Sequence, residues 1–401
     1  MQALRAPVAF DGTRFLADGA TVLVEDGTIV GVEPAAYDVP ADCPVTTYDG
    51  TLLPGLVDAH VHLVSDGGPG SLERAGTLSA EEVDDQIRRS LAAQAAAGVT
   101  TVRDLGDVGY RTLAFADGGQ GLARVVAAGP PITMPGGHCH FLGCVASTPD
   151  ELRTAVREHH ERGVDVIKVM ASGGFLTPGT DMFGAQYAAA ELRVLVEEAH
   201  RLGLRVLAHA HSIAGMEAAV AADVDGIEHF TGMTEQGAAI PDELLDRVAA
   251  AGLQVDPTMG NDMSLVPLMP PPPPQVLEVQ ERLGIDMIQF FQQRYAQVGR
   301  MRERGVRVVP GVDAGAMPLK AHGNAWIAVT DLVKAGYPVA EALEAGTSGA
   351  ADACGVGDVT GALRPGLAAD LLVVDGDLRT EPEALGRPAA VLVRGEPVLP
   401  A

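Results

Sequence analysis

Two histidines spaced two apart, His60 and His62, lie in Leu56-Val57-Asp58-Ala59-His60-Val61-His62-Leu63, where apolar and polar residues alternate. That period is a strand's, and residues i and i+2 of a strand point the same way, so both imidazoles leave one face. Neutral imidazole binds zinc and its neighbours in the transition series, so the pair is half of a metal site. Alone it is a weak signal, because a strand can carry two histidines for no chemical reason. Other segments add to it. Val164–Met170 sets Lys168 inside an apolar run, Val166-Ile167-Lys168-Val169-Met170, and Leu204–His211 closes on a second pair, His209 and His211. Asp225–Phe230 brings His229, and Val308–Gly315 brings Asp313 between glycines. Singly, each reads as a satisfied core group. Together, four of these imidazoles, a carboxylate and a buried lysine suit two divalent metals better than one. Lysine is a poor ligand while charged, but burial disfavours its ammonium form. Carbamylation of Lys168 by CO₂ would turn it into a carboxylate able to bridge two cations.

These residues need a frame that points strand ends at one place. Strand-like runs at 56–63, 99–106, 125–133, 164–171, 204–211, 226–230, 253–260 and 307–314 alternate with helical patterns such as Ala80–Ala97, Pro149–Arg162, Ala189–Leu202 and Pro241–Ala251. Eight strands, most followed by helical sequence, predict an α/β fold, a parallel (β/α)₈ TIM barrel over 55–354. In such a barrel the C-terminal strand ends converge on the active site. A doubly wound open sheet is the alternative, but no G-x-G-x-x-G follows the first strand. Both chain ends read as short strands. Ala20–Val32 has an Asp26-Gly27 step between two β-rich runs, a strong hairpin signal. Residues 369–377 and 390–398 are strands with Gly-bearing turns. Residues 1–54 plus 355–401 are therefore expected to form one small β-sandwich domain. The run Met269–Pro274 fits neither a helix interior nor a central strand and reads as a stiff polyproline II spacer. It leads into one long helix near Gln275–Arg304, inserted after strand seven as a surface connector or, more sharply, a lid over the pocket.

Composition removes several classes. With 28 basic against 53 acidic residues the formal charge is −25, which repels phosphate backbones and argues against a nucleic-acid partner. No apolar run reaches membrane-spanning length, so no membrane partner is expected. Met1–Pro7 does not read as a signal peptide, and Cys43, Cys139, Cys144 and Cys354 form no C-x-x-C pair. Free thiols and a cytoplasmic location are the expectation, with Cys139 as a small buried hydrophobe. There is no G-x-S-x-G elbow and no P-loop. Homo-oligomerisation is left open.

Pro54-Gly55-Leu56-Val57-Asp58-Ala59-His60-Val61-His62-Leu63, Ala97–Asp104 and Gly361–Leu371 resemble the first-strand motif, the second-strand segment and the C-terminal tail of the amidohydrolase superfamily. With Lys168, the chain is similar to the branch of Xaa-Pro dipeptidases, arginine/lysine carboxypeptidases and ochratoxinase-like amidases, and more distantly to imidazolonepropionase. The resemblance implies that His60, His62 and Asp313 hold one metal, that His209 and His229 hold a second, and that carboxylated Lys168 bridges them, with zinc the expected ion. His211 falls where some relatives carry a tyrosine that contacts the substrate carboxylate. His138, in Gly136-Gly137-His138, falls in another substrate-facing segment. His140, Tyr187 and His322 are weaker substrate-contact candidates, while His159, His160 and His200 lie on helical patterns and are expected in solvent.

The implied reaction is attack of metal-activated hydroxide on a small amide substrate, dipeptide-like or an N-acyl amino acid. Asp313 acts as general base and then acid, and His138 or His211 stabilises the oxyanion. A cyclic-amide or lactone hydrolase, imidazolonepropionase-like, is the alternative, and its mononuclear members would not need Lys168. A non-catalytic metal-binding barrel is a third reading, set against by Asp313, since structural metal sites do not need a free base.

Overall fold

The computed structural model of the chain describes residues 1–269, 271–272, 274–284 and 286–398. The central strands are parallel. Leu56–Val61 (β1), Val99–Asp104 (β2) and Arg124–Ala127 (β3) form one sheet. Val166–Met170 (β4), Arg205–Ser212 (β5), Gly226–Thr234 (β6), Gln254–Asp256 (β7) and Arg307–Val308 (β8) run in order through a second. Two backbone seams join the sheets. The Asp165 amide donates to Ala127 O (2.9 Å), and the His62 and Asp313 amides donate to Ala314 O (2.8 Å) and His60 O (2.7 Å). Strand one and the segment after strand eight are thereby neighbours.

The helices that cross between strands are sharply started. Ser79 with Glu82, and Thr148 with Glu151, form reciprocal capping boxes at the starts of Ala80–Ala96 and Pro149–Arg162. Val83, Ile87 and Leu91 give the first of these an apolar stripe at helical spacing, and it is buried. Ala189–Arg201 and Asp242–Ala250 agree with expectation to within a residue or so at each end.

Four elements differ from the sequence reading. The run expected as strand three splits into β3 and Ile132–Thr133, which pair in different sheets. Strands seven and eight are only two or three residues long, because Pro257 and Thr258 (φ 47°) follow the first and Pro310, with no amide hydrogen to pair, follows close on the second. The expected long helix after strand seven is two helices, Pro274–Leu283 and Met287–Glu303. Gly284 (φ 64°) lies between them, and Asp286 starts the second with a capping box to Gln289. Two residues of the proline run, 270 and 273, lie outside the described residues, so its polyproline II reading is only partly addressed.

The chain ends supply two further sheets. Thr28–Glu33, Ala20–Glu25, Gln2–Ala6 and Val45–Thr47 form one, and Val8–Ala9, Thr51–Pro54, Leu371–Val374, Pro388–Val393 and Glu396–Pro397 the other. Leu4, Val22 and Ile29 from the first sheet share a core with Leu52, Leu371 and Leu392 from the second. Residues more than 300 apart in sequence thus bury each other.

Candidate metal centre

The end of β1 turns both imidazoles inward, where His62 Nε2 lies 3.2 Å and His60 Nε2 3.6 Å from Asp313 Oδ1. The outer nitrogens are held. His62 Nδ1 donates to Gly106 O (3.1 Å), and His60 Nδ1 meets Glu228 Oε2 at 2.7 Å. Each ring therefore presents an Nε2 lone pair to the same space as the carboxylate. Across it, His229 Nδ1 meets Thr258 Oγ1 (3.0 Å), while His209 uses Nε2 to reach Gly173 O (3.1 Å) and keeps Nδ1 free. The ligand atoms of His60, His62 and Asp313 lie within 4.8 Å of one another, as do those of His209, His211 and His229. The His209 and His229 rings are 4.4 Å apart, and His229 is 5.4 Å from His60. Lys168, 1% exposed, lines the same cavity as both groups, and its Nζ has no hydrogen-bond partner. A buried amine left unpaired is costly. Nitrogen and oxygen donors around an orphaned amine fit a divalent cation of the zinc type.

Electrostatics keeps these groups in ligand form. Burial, reinforced by the Lys168 charge, pushes His60 down to about 4, and burial also holds His209 and His229 well below the ordinary imidazole range. Burial would raise Asp313, but the His62 hydrogen bond and the His60 and Lys320 charges outweigh it, and the carboxyl sits well below its usual range. Burial lowers Lys168 against the pull of Glu228 and Asp313.

Several residues that build this site carried no clear sequence signal. Glu228 and His229 are consecutive, and a regular strand would send them to opposite faces. His229 (φ 68°) and Phe230 (φ 49°) are left-handed, and with that break Glu228 reaches His60 while His229 reaches His209. Arg294, fully buried on the inserted helix, donates to the carbonyls of His229 (2.6 Å), Phe230 (3.0 Å) and Pro257 (3.1 Å) and so clamps that turn. Lys320 Nζ ties Thr258 O to Val312 O, both at 2.6 Å. Asp58 accepts from the amides of His60 (3.2 Å) and Val312 (3.0 Å), fixing β1 against the Asp313 segment. Gly311 is required by contact, since a Cβ there would lie 2.0 Å from Asp256 Oδ2 and 2.7 Å from the His60 Cβ.

The structure gathers His60, His62, His138, Lys168, His209, His211, His229 and Asp313 on one cavity of about 140 Å³. Burial takes His138 down to about 3, and its Nδ1 has no partner. His211 differs from expectation. The Thr231 hydroxyl donates to His211 O (3.0 Å), so its oxygen accepts from His211 Nδ1 (3.0 Å), leaving a lone pair on Nε2. That nitrogen suits a ligand or an acceptor and cannot donate to an oxyanion. Three weaker candidates do not line the cavity. Tyr187 is buried with its hydroxyl on Ala146 O (2.6 Å), His322 Nε2 meets Ser65 O (2.8 Å), and exposed His140 folds back on Gly137 O (3.0 Å). Backbone carbonyls that the sequence does not reveal take up their polar atoms. His159 was expected in solvent and is fully buried, between Tyr110 Oη (3.1 Å) and Pro130 O (2.8 Å). His160 and His200 are exposed, and Cys139 is buried at 2% exposure.

Parallel strands whose C-terminal ends gather imidazoles, a carboxylate and an orphaned lysine define an α/β enzyme built around a metal-type ligand set. The chain belongs to the amidohydrolase family, which it matches over residues 51–398, and it is a hydrolase. It is 28% identical over 359 residues to an uncharacterised protein of Mycobacterium tuberculosis, covering 87% of this chain and 86% of that one. It is 32% identical over 215 residues to ochratoxinase of Aspergillus niger, covering 46% and 44%. A Xaa-Pro dipeptidase crystallised with methionine in its active site shares the fold at a TM-score of 0.85 and 24% identity, with 99% of each chain covered. The family resemblance read from the motifs is borne out. No described helix is long and apolar enough to cross a membrane.

Proposed function

We propose that this chain is a binuclear metal-dependent amidohydrolase that cleaves the C–N bond of a small dipeptide-like or N-acyl amino acid substrate. The observation that carries the reading is the unpartnered Nζ of Lys168 on the cavity that both ligand groups line. A carbamate there would add oxygen donors, which the all-imidazole group of His209, His211 and His229 lacks. His60, His62 and Asp313 would hold one cation, and His209 and His229 the other, with His211 beside them. Zinc is the expected ion. When bound, two such cations polarise a carbonyl and lower the pKa of water.

This chain's residues supply the rest. Asp313, held ionised, takes the proton of the attacking water and returns it to the leaving nitrogen. His138, whose Nδ1 and Nε2 are both free of protein partners, donates to the oxyanion. His211 Nε2 accepts from a substrate N–H. The apolar wall, with Phe290, Phe291 and Met233, excludes bulk water. In the same reading the two seamed parallel sheets are one (β/α)₈ barrel over 55–354, and the chain-end sheets are a β-sandwich of 1–54 and 355–401. The partner is a small-molecule amide rather than a nucleic acid, and the enzyme works in the cytoplasm.

The test is metal content together with hydrolysis of N-acyl amino acids and dipeptides by zinc- or manganese-loaded protein. Two metals per chain and chelator-sensitive turnover are expected. Lys168→Ala should lose about half the metal and most turnover, with partial rescue by short carboxylic acids. Unchanged metal and rate in Lys168→Ala would remove the bridge. One metal per wild-type chain would favour the cyclic-amide reading.

A further inference from the structure

Outside the metal-type site lies a second, larger chamber of about 640 Å³. The two spaces are adjacent, because Leu72, Phe175, Leu176, Val276 and Met317 line both. The outer chamber adds Phe141, Val266, Met269, Pro272 and Leu319. Among the described residues its only ionisable lining side chain is the exposed Glu73. It thus offers no cation to a carboxylate or phosphate, and its one charge repels anions. Val266 and Met269 belong to the segment that follows β7, so part of the wall comes from the insertion whose second helix clamps the His229 turn.

The inner cavity has room for the reacting amide and little more, whereas the outer one is large, mostly apolar in its lining and nearly uncharged. Such a space gains free energy only by burying apolar surface. We infer that the outer chamber is a substrate subsite for a bulky, uncharged aromatic or aliphatic group attached to the scissile amide. This rests on the amidohydrolase reading above and narrows it, from small dipeptides to amino acids N-acylated by a hydrophobic acid. The amide sits at Asp313, and its acyl group passes between Phe175 and Leu72 into the chamber. Selectivity then grows with apolar size, by about fourfold in kcat/KM per buried methylene.

The experiment has two arms. The first compares N-acetyl-, N-butanoyl-, N-octanoyl- and N-(2-naphthoyl)-phenylalanine as substrates of the zinc-loaded enzyme. The second measures binding of the neutral fluorophore N-phenyl-1-naphthylamine, which needs no catalysis. Both use wild type, Val266→Asp and, from a different segment of the wall, Phe141→Asp, with circular dichroism melts to check folding. The inference predicts an octanoyl-to-acetyl preference above about a hundredfold. In either variant that preference collapses and fluorophore affinity falls at least about tenfold. Acetyl and octanoyl substrates cleaved alike, or a fluorophore bound equally by wild type and both variants, would overturn it. If no amide is cleaved but the fluorophore binds wild type and is lost from the variants, the chamber stands and the amidohydrolase substrate reading fails instead.

Discussion

At Asp26 (φ 47°) and Gly27 (φ 78°) the backbone is left-handed, and at His229 (φ 68°) and Phe230 (φ 49°) it is left-handed again. The first pair joins Ala20–Glu25 to Thr28–Glu33, with Glu25 paired to Thr28. Glycine and aspartate tolerate this backbone, and the turn's twist suits the strands it joins. The second pair interrupts a strand, with a histidine and a phenylalanine that resist such backbone at about 1–3 kcal/mol each. Nothing local favours it. It is held by distant, buried groups, with Arg294 on its carbonyls and Thr258 on the His229 ring. One bend is encoded where it occurs and serves the fold. The other is imposed from elsewhere and turns two consecutive side chains into one site. Substitutions should separate the two kinds.

Asp313 (φ 62°) is strained in the same way, and asparagine tolerates left-handed backbone as aspartate does. Asp313→Asn should therefore keep the fold while removing the base, and turnover should fall by about 10²–10⁴-fold. Near-normal turnover with full metal occupancy would dismiss Asp313 from proton transfer. Glu228→Gln tests the less visible partner. Its carboxylate orients His60 through the 2.7 Å contact and is held down to about 2, because the Lys168 and His60 charges outweigh the burial that would raise it. Glutamine keeps an acceptor oxygen but loses the negative charge, which should weaken zinc binding by up to about 10–100-fold, read by competition with a chelator. Equal zinc affinity in Glu228→Gln and wild type would show that the His60 ring needs no such support.

His60, His62, His209, His229 and Asp313 were legible in the sequence because polar residues stand out in strands that are otherwise apolar. Lys168 was legible for the same reason. Glu228 was not, since adjacent strand residues read as facing apart and only the φ of His229 brings both inward. Arg294 lay in a segment read as a connector, and its partners are carbonyls, which leave no trace in side-chain spacing. Tyr187 and His322 erred in the opposite direction, as polar groups near the motifs whose needs are met by Ala146 O and Ser65 O. The short β7 and β8 were overestimated because β-rich composition continues past the residues where the backbone bends.

Arg294→Met keeps the aliphatic bulk and removes the donors from three buried carbonyls. Stability to urea should fall by about 2 kcal/mol, the scale of leaving buried acceptors unpaired. Zinc affinity should fall with it, since the His229 turn loses its clamp. A variant with lowered stability and intact zinc affinity would mean the turn holds itself, and the contrast with the Asp26-Gly27 hairpin would shrink.

Gly27→Ala probes the other side of the contrast. Gly27 has positive φ, and a Cβ there would lie 2.8 Å from Arg394 O, in the turn that ends Pro388–Val393. Its own carbonyl accepts from the Ala369 amide at 2.8 Å, so this turn also fastens the two chain ends together. Alanine should cost about 1 kcal/mol from the strain of a Cβ in left-handed backbone, plus the displacement of Arg394. Because no metal-type ligand touches this hairpin, turnover and zinc affinity should stay at wild-type levels while the melting temperature drops. If Gly27→Ala also lowered zinc affinity, the chain-end sheets would be coupled to the strand ends, and local encoding would not be enough to explain why that turn is where it is.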